Sequence, residues 1–406
     1  VMLDVRTAFV TREGVPYVPL NYDLVFRGPV RLREALASSY NLIAVKVLDT
    51  IGVEALTGMA RRLGITTLDD PDKLGLALAL GGGEVRLLEL TAGYATFANG
   101  GYAVQPVTIR RVEDASGVVL WEAPDGRGER VLDARVAYLI TDILSDDLAR
   151  IPTFGEGSVL QLTRPAAVKT GTTTNFRDNW TVGYTPDLVV GVWVGNADNE
   201  AMKDVSGVDG AAPIWHAVME TALKGRPVRD FVRPEGLVDV EVCALSGQLP
   251  GPDCPHRITE TFIAGTEPTE TCTMHQRING EVYTVLPPEA QDWAREHHLS
   301  QPVALSPQTS TSASPLRLTS PDTGAVYRID PTQPRDMQKL RIAAEAGRAF
   351  ERVILLRDGQ PLAQLTAPPY TYLWLLQPGT HTFAAVGVAA DGSRIVGDSV
   401  TIEVRE

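Results

Sequence analysis

Residues Ala167-Val168-Lys169-Thr170-Gly171-Thr172-Thr173-Thr174 run into Asn175-Phe176-Arg177-Asp178-Asn179-Trp180-Thr181-Val182-Gly183-Tyr184, and then into Leu188-Val189-Val190-Gly191-Val192-Trp193-Val194-Gly195. Val168 and the threonines after it favour an extended backbone. The polar run from Asn175 reads as a turn, with Asp178 and Asn179 as turn residues, and Thr185-Pro186-Asp187 reads as a second turn. The pattern predicts an antiparallel meander. Its first strand carries one lysine beside a ladder of hydroxyls, and Gly171 leaves the backbone open to close approach. Ammonium, hydroxyls and bare N–H and C=O groups together make an anion site that can also take an extended peptide. Lys-Thr-Gly alone is weak, because three residues match by chance and a plain polar edge strand explains them equally well.

A second signal lies well upstream. Ser39-Tyr40-Asn41 sits within Leu32-Arg33-Glu34-Ala35-Leu36-Ala37-Ser38-Ser39-Tyr40-Asn41-Leu42-Ile43-Ala44-Val45. Residues 31–38 read as a short helix and 41–50 as another, with Leu42, Val45 and Leu48 on the apolar face. Ser39 and Asn41 therefore fall at a helix junction, where simple capping is the plainer explanation. Ser-x-Asn followed at long range by Lys-Thr-Gly resembles two of the three signatures of penicillin-binding proteins and serine β-lactamases. The flanks Arg27-Gly28-Pro29-Val30, Leu78-Ala79-Leu80-Gly81-Gly82-Gly83-Glu84-Val85 and Tyr94-Ala95-Thr96-Phe97-Ala98-Asn99-Gly100-Gly101 are similar to the transpeptidase domain of class A penicillin-binding proteins, most nearly the 1C type. The likeness covers about the first half of the chain.

Composition limits the alternatives. A chain of 406 residues expects two or three domains, and 44% hydrophobic with 21% charged residues is ordinary for a globular protein. A net charge of −13 argues against a nucleic-acid partner. No apolar run is long enough to span a bilayer, and no basic amphipathic stretch suggests membrane-surface binding. With no signal peptide and a first residue inside a domain, the sequence reads as a C-terminal fragment. The resembled family carries a membrane helix and a glycosyltransferase domain ahead of this region.

Four segments are expected: 1–225 as an N-terminally truncated transpeptidase domain, 226–300 as a cysteine-containing connecting module, 301–314 as a linker, and 315–406 as a β-sandwich. The first should be α+β, an antiparallel sheet packed by helices. Helices are expected at 52–63, at 87–98 with Leu88, Ala92 and Ala95 inward, and at 135–144 with Val136, Leu139, Ile140 and Ile143 inward. A further helix should start near Pro213, with His216 a core histidine. A small hairpin should turn at Ser116-Gly117. From Leu316 onward, short alternating runs separated by turns such as Arg357-Asp358-Gly359 predict an all-β, immunoglobulin-like sandwich. The resemblance places here the small C-terminal domain of the family; with no nucleophile, metal cluster or glycine loop in it, binding or spacing is its expected job, with a purely structural role as the alternative.

The resemblance also implies chemistry. A Ser-x-x-Lys serine attacks the penultimate D-Ala carbonyl of a D-Ala-D-Ala stem peptide, and an amine of a neighbouring stem resolves the acyl-enzyme into a cross-link. No serine in this sequence has lysine three places later; in the family that motif precedes Ser-x-Asn, so it is expected ahead of Val1. Ser39 would then relay a proton, Asn41 would hydrogen-bond the substrate's acyl side chain, and Lys169 would hold Ser39 and face the substrate carboxylate. Thr170 and Thr172 would offer hydroxyls, Gly171 would leave room for the ligand, and the Thr172 N–H would serve the oxyanion hole. Tyr40 departs from the Ser-Asp-Asn form. Partners implied are stem peptides, β-lactams and, through the sandwich, other cell-wall synthesis proteins. The implied place is the extracytoplasmic face of a bacterial membrane, and no cofactor is implied for catalysis. A non-catalytic binder of cell-wall peptide with a degenerate site is the rival reading; a β-lactamase is a weaker third.

The cysteines follow the order Cys243-x10-Cys254-x17-Cys272-x2-His275. That set suits a structural tetrahedral zinc, a Cys243–Cys254 disulfide or free thiols. The first spacing is longer than in common zinc ribbons, and nothing suggests a catalytic metal.

Overall fold

A computed structural model describes residues 1–10, 16–70, 74–123, 128–173, 176–203, 206–299, 316–321, 326–329 and 338–405. The expected linker at 301–314, and Thr174 and Asn175 of the expected turn, lie outside the described residues. The chain forms two compact units, one of Val1–Asp4 with Pro19–Thr273 and one of Val5–Val18 with Met274–Glu406. Residues 226–273 thus fall in the first unit.

The first unit is built on the predicted meander. Its edge strand is Ala167–Thr172, its central strand Asp178–Thr185 and its outer strand Leu188–Gly195, paired antiparallel in that order. Lys169 stands opposite Val182 and Gly171 opposite Trp180. The helices are α1 (Leu32–Ala37), α2 (Asn41–Ile51), α3 (Val53–Arg62), α4 (Leu87–Ala98), α5 (Ala134–Leu144), α6 (Asp147–Phe154) and α7 (Ala211–Leu223). Successive side chains of the edge strand face opposite ways, so the adjacent Ala167 and Val168 are buried on its two faces. Val168 packs with Trp215, Met219 and Leu223 of α7. Ala167 and Tyr184 pack instead with Leu144 and Ile140 of α5 and Tyr94 and Phe97 of α4. The sheet is therefore buried on both faces, as the α+β reading requires. Trp215 is fully buried, the kind of side chain whose removal from water is worth about 1.5–3 kcal/mol or more.

In α4 and α5 the expected inner faces hold only in part. Ala95 is buried and Ile140 packs on the core as expected, but Leu88 is 62% exposed and Val136 is 38% exposed, and Gly93, Thr96, Ala137, Thr141 and Leu144 also point inward. Small residues occupy the inner face of α4 because it lies close on the sheet; a side chain at Gly191 would strike Thr91. Asp178 and Asn179 are not turn residues but open the central strand, and Asn179 is fully buried. Asp133 caps α5 by accepting from the Arg135 N–H. The small hairpin forms from Arg111–Glu113 and Val119–Glu122. No helix among the described residues is long and apolar enough to cross a membrane.

In the second unit, a sheet of Leu316–Ser320, Lys339–Ala346 and Tyr370–Leu375 packs on a larger sheet that includes Arg352–Arg357, Gln360–Leu365, Gly379–Val388 and Val400–Arg405. Leu316, Ile342 and Trp374 from the first meet Val353, Leu355, Phe383 and Ile402 from the second. This is the predicted all-β sandwich.

Candidate active site

The junction between α1 and α2 is pinned from both sides. Ser38 is buried and its hydroxyl donates to the Ala149 carbonyl at 2.8 Å. Tyr40 is buried, donates to Glu34 Oε1 at 3.0 Å, and lies under the Arg27 guanidinium at 4.2 Å. Burial and the Glu34 carboxylate push its phenol up to about 12. Tyr40 is thus an anchor for the junction. Between these two fixed neighbours, Ser39 adopts φ +62°, a left-handed conformation that costs a non-glycine residue energy and is typical of positions held for a purpose. No side-chain cap forms at the start of α2, so the capping explanation for Ser39 and Asn41 fails.

Lys169 meets Ser39 across 130 residues of sequence: Nζ donates to Ser39 Oγ at 2.6 Å and to the Thr170 carbonyl at 2.8 Å. Burial pulls the lysine down to about 8. The group is therefore poised to carry charge at neutral pH while holding a proton loosely. Asn41, the first residue of α2, donates from Nδ2 to the Leu20 carbonyl at 3.0 Å.

By strand alternation, Thr170 and Thr172 face away from Lys169, so hydroxyls and ammonium flank the edge of the strand from its two sides. Among the described residues this strand pairs only with the central strand, leaving its other edge for an incoming peptide. The Gly207 N–H donates to Thr172 Oγ1 at 2.9 Å and Thr181 Oγ1 donates to the Gly207 carbonyl at 3.3 Å. A Cβ on Gly207 would lie 2.5 Å from the Gly171 oxygen. Gly207→Ala is therefore expected to push on the Lys-Thr-Gly backbone and to cost about 1–3 kcal/mol by overpacking, read as a lower melting temperature by calorimetry. Asp178 accepts from Thr173 Oγ1 and from Trp193 Nε1, both at 2.8 Å, and so ties the end of the edge strand to the outer strand. The glycine-rich loop after Leu80 arrives here too: Gly81 has φ +94°, and a side chain on it would touch Thr173. Gly207 carries no signal in the sequence; Asp178 was visible only as a turn former.

His216 is partly buried and its Nδ1 lies 2.8 Å from the Val159 carbonyl, the structural placement expected for it. Cys243, Cys254 and Cys272 are buried thiols of the first unit. His275 follows Cys272 after two residues, and the ligand atoms of all four lie within 4.8 Å of one another.

Sequence and fold both match known proteins. A profile described as the penicillin binding protein transpeptidase domain matches residues 12–220. Profiles for the penicillin-binding protein 1A C-terminal domain and the Penicillin-Binding Protein C-terminus Family match 233–277 and 306–395. Penicillin-binding protein 2D of Bacillus subtilis (strain 168) is 36% identical over 269 residues, 65% of this chain and 38% of that protein. Penicillin-binding protein 1A of Aquifex aeolicus (strain VF5) is 36% identical over 263 residues, 64% of this chain and 35% of that one. The crystal structure of penicillin-binding protein 1A from Haemophilus influenzae superposes with a TM-score of 0.58 at 27% identity, covering 67% of this chain and 45% of that one. The chain thus spans little more than a third of the length of these curated relatives. Their names read 1A and 2D, so they support the class A family and not the 1C subtype. With the transpeptidase profile covering half of its 406 residues and Lys169 closed onto Ser39, this chain belongs to the class A penicillin-binding proteins.

Proposed function

We propose that the first unit supplies the Ser-x-Asn and Lys-Thr-Gly walls of a serine D,D-transpeptidase site acting on peptidoglycan stem peptides that end in D-Ala-D-Ala, and that β-lactams enter the same groove. The observation that supports this most is the 2.6 Å contact between Lys169 and Ser39. In the reaction, a serine oxygen bonds to the penultimate D-Ala carbonyl carbon and the C–N bond to the terminal D-Ala breaks, that D-Ala leaving as a protonated amine. An amine of a second stem then bonds to the same carbon, frees the serine and leaves an amide cross-link. Ser39 passes the proton between the base and the leaving amine. Lys169 holds Ser39 and attracts the terminal carboxylate, with the hydroxyls of Thr170 and Thr172 at the strand edge. Asn41 receives the acyl side chain, and the Thr172 N–H stabilises the oxyanion. The substrate lies beside Gly171 as an added strand. No cofactor enters this chemistry.

The 406 residues hold no Ser-x-x-Lys, so the acylating serine is not among them and these residues alone are inactive. The working protein sits at the extracytoplasmic face of the membrane, anchored there, with its sandwich available to other cell-wall synthesis proteins. The test is labelling by a fluorescent penicillin. This polypeptide is expected to form no covalent adduct, and a chain extended on its N-terminal side by the family's Ser-x-x-Lys segment is expected to form one. An adduct on the 406 residues alone would overturn the assignment of roles, and failure of the extended, folded chain to label would favour a non-catalytic binder.

A further inference from the structure

We propose that Cys243, Cys254, Cys272 and His275 bind one zinc ion in a closed, four-coordinate structural site. The argument starts from how little else is buried nearby. Over residues 237–273 the buried positions are Val242, Cys243, Gly251, Cys254 and Cys272. Three of these five are the cysteines, so the thiols stand where an apolar core would be. A metal held by these thiols would cross-link this part of the first unit where few apolar side chains do so.

The topology gathers the ligands. Cys243 ends the strand Leu237–Cys243, which pairs along its length with Arg257–Ile263. Cys254 lies in the loop joining those strands. Cys272 reaches the same loop because its N–H donates to the Leu249 carbonyl at 2.8 Å and the Leu249 N–H donates to the Glu270 carbonyl at 2.9 Å. His275 is delivered by its tether to Cys272. The ligand atoms fall within 4.8 Å of one another; in a tetrahedral complex with Zn–S about 2.3 Å and Zn–N about 2.0 Å they stand roughly 3.5–3.8 Å apart, a small inward adjustment.

The chemistry of the donors selects the ion. Three sulfurs and an imidazole exclude hard cations such as calcium and magnesium and suit zinc. A disulfide would join two of the four groups and leave a third thiol and an imidazole outside it, whereas one metal ion uses all four. Backbone N–H groups also point at the sulfurs: Gly251 donates to Cys254 at 3.3 Å, and Leu245 and Ser246 donate to Cys243. Such donors offset the negative charge of metal-bound thiolates. Four protein ligands leave no open position, so the ion is structural.

The site has a route to the catalytic groove. Glu260, on the strand paired with the Cys243 strand, grips Arg33 of α1 at 2.8 Å and 2.5 Å, and α1 leads into Ser39. The zinc thus clasps the ribbon that holds this helix.

The chain, purified without chelator under reducing conditions, is expected to contain one zinc per molecule by mass spectrometry of the metal. Replacing zinc with cobalt(II) in the unmutated protein should give the intense visible bands and thiolate charge-transfer absorption of tetrahedral coordination, a readout that needs no variant to fold. Cys254→Ser and Cys272→Ser should each lower zinc content at least tenfold. A metal-free protein with a Cys243–Cys254 disulfide and one titratable thiol, a stoichiometric metal other than zinc, or octahedral cobalt spectra would each overturn the proposal.

Discussion

Replacing Lys169 with methionine is expected to slow acylation by a β-lactam about 10²–10³-fold, the usual cost of removing one preorganised electrostatic group from an acyl-transfer site. The measurement is the second-order acylation rate in a chain that carries the Ser-x-x-Lys segment. The lysine also predicts a pH limb. Its folded value, about 8, is below the 10.5 of a free lysine, and the protonated form is the one that attracts a carboxylate. Acylation should therefore lose up to tenfold per pH unit above about 8 through this group, and the methionine variant should lack that limb. Stability moves the opposite way. A depressed lysine is protonated at a cost in the fold, so this cost is present below about 8 and is relieved as pH rises toward 10.5. Near neutral pH the methionine variant should accordingly melt no lower than the parent. The gain is capped at about 3 kcal/mol and reduced by the lost bonds to Ser39 and Thr170. A variant slow in acylation yet undiminished in stability separates a functional lysine from a structural one.

Arg33→Ala should have the largest effect on stability. Arg33 reaches Glu260, Asp142 and Asp146 at 2.5, 2.5 and 3.3 Å, and its side chain is 13% exposed. Burial pulls its guanidinium down, but the carboxylates of Glu260 and Asp142 outweigh burial and hold it above its usual value. Removing the arginine leaves Asp142 and Asp146 without this cation and Glu260 with only the longer Arg31 contact at 3.7 Å, a loss of about 3 kcal/mol. Differential scanning calorimetry should show the first unit unfolding well below the parent. Arg33→Ala with Glu260→Gln should recover part of the loss, because the double change removes one of the stranded charges. Equal loss in the single and double variants would mean that packing of the arginine stem, not charge, is what matters.

The site was legible in the sequence to the extent that chemistry fixes residue type. Lys169 and Ser39 stood out because Ser-x-Asn and Lys-Thr-Gly together resemble a known pair of motifs, although neither alone is decisive, and the meander was readable because valine and threonine runs alternate between clear turns. The full inner faces of α4 and α5 were not. Their apolar residues satisfy more than one face, and the choice falls to how closely each helix approaches the sheet, which no local pattern records. Asp178 and Asn179 resemble turn residues in composition but stand in a strand, Asp178 bonded to Trp193 and Thr173 and Asn179 paired with Thr172 and Val194. The strand Gln360–Leu365 escaped notice because Pro361 and its polar residues mask it; it sits at a sheet edge, where proline is tolerated. Gly207 and Arg33 act through partners far away in sequence, so their importance exists only once the chain has folded.

The central claim is that Ser39 and Lys169 work as one unit in a single groove. A double-mutant cycle of Ser39→Ala and Lys169→Met on the acylation rate of the chain carrying the Ser-x-x-Lys segment measures that claim most directly. The account predicts strong coupling, with the double variant little slower than the worse single variant and an interaction energy of about 1–3 kcal/mol. Losses that simply multiply, within about 0.5 kcal/mol, would contradict it.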